Sequence, residues 1–157
     1  MRDAFNESLA DVRRRLLEMV NLVQVAVNDA TESLLEADGE KAEQVIDARS
    51  AARFAGTEPE PREGMRAGHI PGSRNLPFNN LFNADGTWKQ GDALRAEFDA
   101  AGVDLKKATV ATCGSGITAA VLAFGAAILG EKKVAIYDGS WSEWGASASA
   151  PVVTGAA

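Results

Sequence analysis

The chain has few residues of the kinds that bind metals or form disulfides, since its 157 residues include one cysteine and one histidine. A single cysteine cannot form an internal disulfide, so the sequence gives no sign of a secreted scaffold and favours a reducing, cytoplasmic compartment. One cysteine and one histidine are also too few ligands for a structural zinc or a haem. We therefore predict a protein that binds no metal and no other cofactor.

Long apolar runs and an excess of basic residues are missing as well. The most apolar early run, residues 16–27, contains Glu18, Asn21 and Gln24 and is too short to cross a bilayer. The chain holds 16 lysines and arginines against 22 aspartates and glutamates, and its net charge of −6 argues against a general nucleic-acid binder. We expect neither a membrane nor a nucleic acid among its partners.

The first 23 residues show the spacing of an amphipathic helix, with apolar side chains at intervals of three and four. Beyond Val23 two interpretations remain. Residues 23–27 alternate as a half-buried strand would, or the apolar stripe continues through Leu34 in one long helix, which we favour. Because an isolated helix is only marginally stable in water, we expect it to pack on the rest of the chain or to form a homodimer. The stripe consists of Phe5, Leu9, Val12, Leu16, Met19 and Val23.

From Gln44 onward, apolar strands alternate with helical segments, which is typical of an α/β domain with a parallel sheet. We expect strands at 44–47, 109–112 and 134–137, helices at 92–101 and 117–129, and an irregular tail after residue 148. The helix at 117–129 is apolar nearly all round and is predicted to be buried. Residues 50–90 show no regular periodicity and are predicted to be a long irregular stretch, which in a compact domain is often functional.

The loop after the second of these predicted strands holds the only cysteine. Cys113 is followed by Gly114, Ser115 and Gly116, and then by the predicted helix. Such a loop can turn several backbone N–H groups toward one point, and the helix adds its positive N-terminal end. Both effects favour a thiolate. Because active sites of open parallel sheets lie at the carboxyl ends of the strands, the sequence predicts that Cys113 is a nucleophile.

Five segments in a fixed order carry a family resemblance. They are VIDAR at 45–49, RF at 53–54 with GTEPEPR at 56–62, GHIPGSRNLP at 68–77, CGSGITA at 113–119, and YDGSW at 137–141. With them, residues 44–157 resemble the rhodanese superfamily, specifically the catalytic domain of 3-mercaptopyruvate sulfurtransferases. The resemblance implies an α/β fold with a rhodanese-like parallel sheet flanked by helices. Thiosulfate-preferring members carry basic residues after the cysteine, whereas the glycine-serine-glycine sequence is of the mercaptopyruvate type.

The N-terminal part of the chain resembles a different protein family. MRDAF at 1–5, LLEM at 16–19 and ATESLLEAD at 30–38 are similar to the first helical stretch of PhoU, the helical regulator of phosphate uptake. We therefore divide the chain into an amphipathic helical extension at 1–43, which is a candidate oligomerisation element, and a rhodanese-like domain at 44–157. This combination suggests a fusion or a chimera.

The rhodanese resemblance implies a function and a set of site residues. Sulfur passes from 3-mercaptopyruvate or thiosulfate to a Cys113 persulfide, and then to a thiol acceptor such as a thioredoxin-like protein or a low-molecular-weight thiol. Arg53 and Arg62 bind the oxygens of the donor, and Ser115 assists proton transfer. The loop residues that complete the substrate-binding site are Gly114, Gly116, Ile117 and Thr118.

In the family, Ser115 works with a histidine and an aspartate from a first domain that this sequence does not contain. Without them we expect turnover to fall by about two or more powers of ten, the usual scale for a general acid–base group. The alternative function is therefore a catalytically impaired or chimeric module with a helical assembly or regulatory role. A cysteine phosphatase is disfavoured because the loop has no arginine.

The remaining polar candidates have structural interpretations. His69 lies in a Gly-His-Ile-Pro-Gly turn, and we predict that it fixes a loop. Asp47, at the end of a strand, is expected to serve as a hydrogen-bonding anchor, and Arg49 beside it is expected to have a structural role. The acidic residues at 58, 60 and 63 are interpreted as a solvated segment that cannot assemble a metal site alone.

Overall fold

The computed structural model describes residues 12–17, 42–131 and 134–156. Residues 12–17 are helical, and the side chains of Val12, Leu16 and Leu17 are 54%, 52% and 57% exposed. The remainder of the predicted N-terminal stripe and the rest of the PhoU-like segment lie outside the described residues. Within the described ranges, the structure has no helix whose length and apolar character would let it cross a membrane.

The domain is built on a four-stranded sheet in which every neighbouring pair is parallel. The strands are β1 (Gln44–Asp47), β2 (Arg74–Asn75), β3 (Thr109–Thr112) and β4 (Val134–Ile136), in the order β2-β1-β3-β4. The α/β class and the parallel sheet are confirmed. Because all four strands run in one direction, their carboxyl ends share one edge, and Cys113 directly follows β3 at that edge.

Helical segments alternate with these strands along the chain. They are α1 (Ala51–Ala55), a 3₁₀ helix (Phe78–Leu81), α2 (Gly91–Ala100), α3 (Ala119–Ile128) and α4 (Ser140–Trp144). Side chains of β1, β3 and β4 meet those of the 3₁₀ helix, α2 and α3 in one continuous apolar core. Strand residues point alternately to the two faces. The core includes Ile46, Leu81, Leu94, Phe98, Ala111, Leu122 and Ile136.

Two sequence predictions were wrong in detail. The stretch 50–90 is not irregular throughout, because it contains α1, β2 and the 3₁₀ helix. These elements have two to five residues each, too few for a periodic pattern to be visible. The helix predicted from residue 117 begins instead at Ala119, and Ile117 before it is 76% exposed, so the expectation of burial fails at that residue.

Arg66 anchors the C-terminal end of α4. Its guanidinium donates hydrogen bonds to four backbone carbonyl oxygens, at distances between 2.5 and 3.1 Å. The carbonyl oxygen of Arg66 in turn accepts the indole N–H of Trp141 at 2.9 Å. Because α4 follows β4 at the carboxyl edge of the sheet, this anchor fixes a wall of the region around Cys113. The four accepting residues are Trp144, Gly145, Ser147 and Ala150.

Replacing Arg66 with methionine should lower the free energy of unfolding by about 2–4 kcal/mol, because several part-buried carbonyl oxygens lose a charged donor. Arg95→Met is the matched control, since the Arg95 side chain is 41% exposed and its ion pair with Glu131 is long, at 3.6 Å. That change should cost about 0.5 kcal/mol or less. Urea unfolding measures both, and equal losses would contradict the anchoring role.

Candidate active site

Cys113 lies at the base of a pocket of about 310 Å³ at the carboxyl edge of the sheet. The residue as a whole is 1% exposed, so the pocket is the route by which a small molecule reaches the sulfur. Three segments form the walls: the loop after β3, residues 53–65, and α4. The lining residues are Arg53, Glu60, Pro61, Arg62, Met65, Cys113, Gly114, Ser115, Ile117, Thr118, Trp141 and Ser142.

Two serines contact the cysteine directly. The backbone N–H of Ser115 donates to the Cys113 Sγ at 3.4 Å. The hydroxyl of Ser140 accepts the Cys113 backbone N–H at 3.1 Å, donates to the carbonyl oxygen of Tyr137 at 2.7 Å, and lies 4.0 Å from Sγ. Ser140 is fully buried and has a φ of 47°, a left-handed conformation that is unfavourable for a residue with a side chain. The hydroxyl therefore fixes Cys113 at the cost of local strain.

The loop after Cys113 offers unused backbone donors. Within the described part of the chain, no acceptor receives the N–H groups of Gly116, Ile117 and Thr118. Ile117 and Thr118 line the pocket, whereas Gly116 does not. Gly116 serves the turn instead: its φ is 83°, and a Cβ there would lie 2.9 Å from the Asp138 carbonyl oxygen. Gly116 therefore shapes the loop from outside the pocket, and the N–H groups of Ile117 and Thr118 are left as candidate donors to an anion.

Arg53 lies against this loop because residue 114 is a glycine. A Cβ on Gly114 would lie 3.0 Å from Nη2 of Arg53, which is too close for an unshifted contact. The guanidinium belongs to α1 and its side chain is 23% exposed. The structure thus brings the predicted Arg53 to the pocket that Cys113 also lines.

The interpretation of residue 60 as solvated was wrong. The Glu60 side chain is only 4% exposed, and its carboxylate bridges two guanidiniums. Arg49 Nη1 donates to Oε1 at 2.7 Å, Arg53 Nε donates to Oε1 at 3.2 Å, and Arg53 Nη2 donates to Oε2. A buried carboxylate without a partner would be strongly destabilising, whereas the Glu60 carboxylate is paired with two guanidiniums.

Arg62 is the second predicted arginine in the pocket wall. Its Nη1 donates to the Ser142 hydroxyl at 2.7 Å, and that hydroxyl donates to the Gly114 carbonyl oxygen at 2.6 Å. The Ser142 backbone N–H donates to the same oxygen at 3.0 Å. Ser142 therefore links Arg62 to the loop that carries Cys113.

His69 lies outside the pocket, and its predicted structural role is confirmed. Its ring stacks on Phe54 with centroids 3.6 Å apart, and Nδ1 is 2.8 Å from the Phe54 carbonyl oxygen. Its backbone pairs with Val153 of the tail. As this is the chain's one histidine, Ser115 has no imidazole partner from its own chain.

Three polar residues of the site were missed by sequence reasoning: Glu60, Ser140 and Ser142. Ser140 and Ser142 follow the last strand, so the rule that sites lie at the carboxyl ends of strands could have identified them. Glu60 gave no such signal, because an acidic residue between two prolines looks like part of an exposed loop. Its role depends on the side chains of Arg49 and Arg53, which belong to other parts of the fold.

Comparison with known proteins identifies a family and several relatives that this chain resembles. A family model described as a rhodanese-like domain matches residues 30–147, beginning before the predicted domain start at residue 44. The 3-mercaptopyruvate sulfurtransferase of Homo sapiens is 52% identical over 101 residues, which are 64% of this chain and 34% of that protein. The 3-mercaptopyruvate sulfurtransferase of Escherichia coli (strain K12) is 48% identical over 127 residues, 81% of this chain and 44% of that protein.

The fold is also similar to that of a solved structure. The crystal structure of the Tum1 protein from Saccharomyces cerevisiae superposes with a TM-score of 0.64 at 32% identity, covering 88% of this chain and 45% of that one. The chain therefore spans less than half the length of each of these three proteins.

Tyr137, whose carbonyl holds Ser140, has a phenol that is hard to ionise. Burial raises its pKa above the ordinary value of 10.0, and a hydrogen bond and charge repulsion from Glu143 raise it further. The unfolded chain therefore loses this proton first as the pH rises. The stability that the neutral phenol contributes is fully present below pH 10 and is lost at higher pH.

Because the chain has one tyrosine, tyrosinate absorbance reports Tyr137 alone. The folded protein should show no tyrosinate at pH values where the urea-unfolded protein is half ionised, about pH 10. Tyr137→Phe should abolish the signal in both states. Glu143→Gln should lower the native midpoint only in part, since burial is the larger cause. Native and unfolded curves that coincide would contradict the buried environment.

Proposed function

Because the chain belongs to the rhodanese-like domain family, we propose that it is a sulfurtransferase that carries sulfur as a persulfide on Cys113. The observation that carries the proposal is the position of the Cys113 sulfur. It receives the Ser115 N–H and faces a pocket that also holds the guanidiniums of Arg53 and Arg62. Such a pocket suits a small anionic sulfur donor. The 3-mercaptopyruvate sulfurtransferases that the chain resembles support this donor as the first choice, with thiosulfate as the alternative.

The first step is attack of the Cys113 thiolate on the donor's sulfur. A sulfur–sulfur bond forms, and the carbon–sulfur bond of 3-mercaptopyruvate breaks. The electron pair of the broken bond goes to carbon, which leaves as the enolate of pyruvate and takes up one proton. The negative charge on the persulfide is stabilised by the backbone N–H groups of the loop, without a charged side chain.

The second step returns the enzyme to its starting state. A thiolate acceptor attacks the outer sulfur of the persulfide, a new sulfur–sulfur bond forms on the acceptor, and the Cys113 thiolate leaves. Both steps are nucleophilic substitutions at sulfur, so the cysteine acts as a covalent relay. A low-molecular-weight thiol or a thioredoxin-like protein has the chemistry required of the acceptor.

Among the residues that the structure describes, Ser115 is the candidate that we propose for delivering the proton that the enolate needs. A serine hydroxyl is a weak acid. The chain's one histidine, His69, is held against Phe54 outside the pocket. We therefore propose that Ser115 passes a proton from water, or from a partner that supplies an acid, and that this step limits turnover more than sulfur transfer does.

Persulfide formation gives a direct test. Incubation with 3-mercaptopyruvate should add one sulfur atom to the intact protein, and mass spectrometry should locate that atom on Cys113. Treatment with dithiothreitol should remove the sulfur and return the original mass. Cys113→Ser should show no addition. Absence of the added sulfur in the unmodified protein, with thiosulfate as well as mercaptopyruvate, would refute the function.

Substrate recognition by Arg62 is tested by Arg62→Lys. Lysine keeps the charge but cannot supply two parallel donors to a carboxylate. The KM for 3-mercaptopyruvate should rise about tenfold or more, the worth of a charge-assisted hydrogen bond, while kcat changes much less.

Arg74→Lys provides the control for this substitution. Arg74 is exposed on β2 and does not line the pocket. Its substitution should leave the KM unchanged in steady-state assays of pyruvate release. Equal KM values for Arg62→Lys and the unmodified enzyme would contradict the assignment of Arg62 to the binding site.

A further inference from the structure

We propose that Glu60 is a positioning residue that holds Arg53 in the orientation needed to bind an anionic sulfur donor. The identity of the anion as a sulfur donor rests on the proposed function. The contacts between Glu60 and Arg53 do not depend on whether the protein turns over that donor. The Glu60 carboxylate receives Nε and Nη2 of Arg53, which are the two donors along one edge of that guanidinium. The opposite end of the guanidinium, with Nη1, is then the part left to face a ligand.

Glu60 can orient Arg53 because Glu60 is itself held from the interior. Its Oε1 accepts Nη1 of Arg49 at 2.7 Å. The Arg49 side chain is fully buried and is fixed by Asp47, whose Oδ2 accepts Nη2 at 2.6 Å. The Arg49 guanidinium also stacks over the Trp141 ring at 4.2 Å. Side-chain contacts thus run without interruption from the end of β1 to Arg53 at the pocket.

Arg53 depends on this support because its surroundings leave it room to move. Its side chain is 23% exposed, and within the described residues its side-chain hydrogen bonds are all to the two oxygens of Glu60. The guanidinium also lies beside Gly114, where a Cβ would come within 3.0 Å of Nη2, and the absence of a side chain at that position leaves Arg53 unconfined there. Without Glu60, an arginine in this position gains conformational entropy by turning toward water.

The net charge of the pocket wall distinguishes the two possible results of removing the Glu60 carboxylate. Arg53, Glu60 and Arg62 together give the pocket wall a net charge of +1. If Arg53 turns away when the carboxylate is removed, Arg62 alone remains and the charge is again +1, so the change is a loss of oriented donors. If Arg53 instead stays in place, the charge becomes +2 and anions bind more tightly. Removing the carboxylate therefore weakens anion binding in the first case and strengthens it in the second.

The test uses alkylation of Cys113, which requires no sulfur transfer. Iodoacetate carries a carboxylate and iodoacetamide is its neutral analogue, so the ratio of their rate constants measures attraction of an anion while cancelling the reactivity of the thiol. Glu60→Gln should lower this ratio about fivefold or more, since a charge-assisted contact is lost. Arg53→Gln should lower it by a similar factor, and the double variant should fall no further than Arg53→Gln alone.

Glu63→Gln is the matched control, because it makes the same change in charge on an exposed residue of the same segment. Its ratio should stay within about twofold of the unmodified protein. With 3-mercaptopyruvate, Glu60→Gln should raise KM with little change in kcat, which a general loss of stability would not produce. Should Glu60→Gln fail to fold, Glu60→Asp withdraws the carboxylate by one methylene and should lower the ratio in the same way.

Three outcomes would overturn the role of Glu60. They are an unchanged ratio, a raised ratio, or a double variant whose loss equals the product of the two single losses. A failure of the proposed function appears differently, as unmodified protein that gains no sulfur from either donor while its alkylation ratios still follow the predicted pattern.

Discussion

The buried ion pair between Asp47 and Arg49 is the interaction on which the site depends. Both side chains are fully shielded from solvent, and Asp47 also accepts the backbone N–H of Arg49 at 2.9 Å. Removing one member of such a pair leaves an unpaired buried charge and costs about 3–5 kcal/mol. Arg49 additionally donates to the Gly68 carbonyl oxygen at 2.9 Å and contacts Glu60. One guanidinium therefore joins the sheet to two segments of the loop region.

A second set of contacts fixes the loop that carries the nucleophile, and these contacts are made by the backbone. Consecutive residues of α4 donate their N–H groups to it, from Trp141 to the Cys113 carbonyl at 2.9 Å and from Ser142 to the Gly114 carbonyl at 3.0 Å. Ser140 accepts the Cys113 N–H. The loop is thus held by its carbonyl groups and by one N–H group. Within the described residues, the N–H groups of Gly116, Ile117 and Thr118 are left without an acceptor.

The sequence was sufficient for the parts of the fold that repeat along the chain. The strands at 44–47 and 109–112 were predicted with the bounds that the structure has. The second strand is fully buried and the first is buried in its latter half, so each segment carries its own apolar signal. The five-residue α1 has no period of its own, and its position depends on Ser50, which accepts the Arg53 N–H at its start. Short elements of this kind are fixed by capping and tertiary contacts, which a linear pattern does not show.

The sequence likewise indicated the parts of the candidate site that form a local pattern and missed those that depend on tertiary contacts. The loop glycines and Cys113 form one local motif, so their chemistry could be inferred from neighbouring residues. The role of Glu60 could not, because it depends on Arg49 at the end of a strand and on Arg53 in a helix. Burial reverses the meaning of such a residue: in water a glutamate is a solvated charge, and between two guanidiniums it is a fixed acceptor.

The structure also separates two tasks that sulfur transfer combines. In the proposed function, binding an anion and stabilising negative charge on sulfur require only hydrogen-bond donors, and the loop N–H groups and two arginines are the candidates. Delivering a proton to carbon requires an acid, and the one histidine is committed to the stack on Phe54 and to the turn that pairs with Val153. Its ring cannot serve both the core and the pocket. Formation of the persulfide and protonation of the enolate are therefore expected to respond to different substitutions, the first to the residues that bind the donor and the second to Ser115 and to the solvent that reaches it.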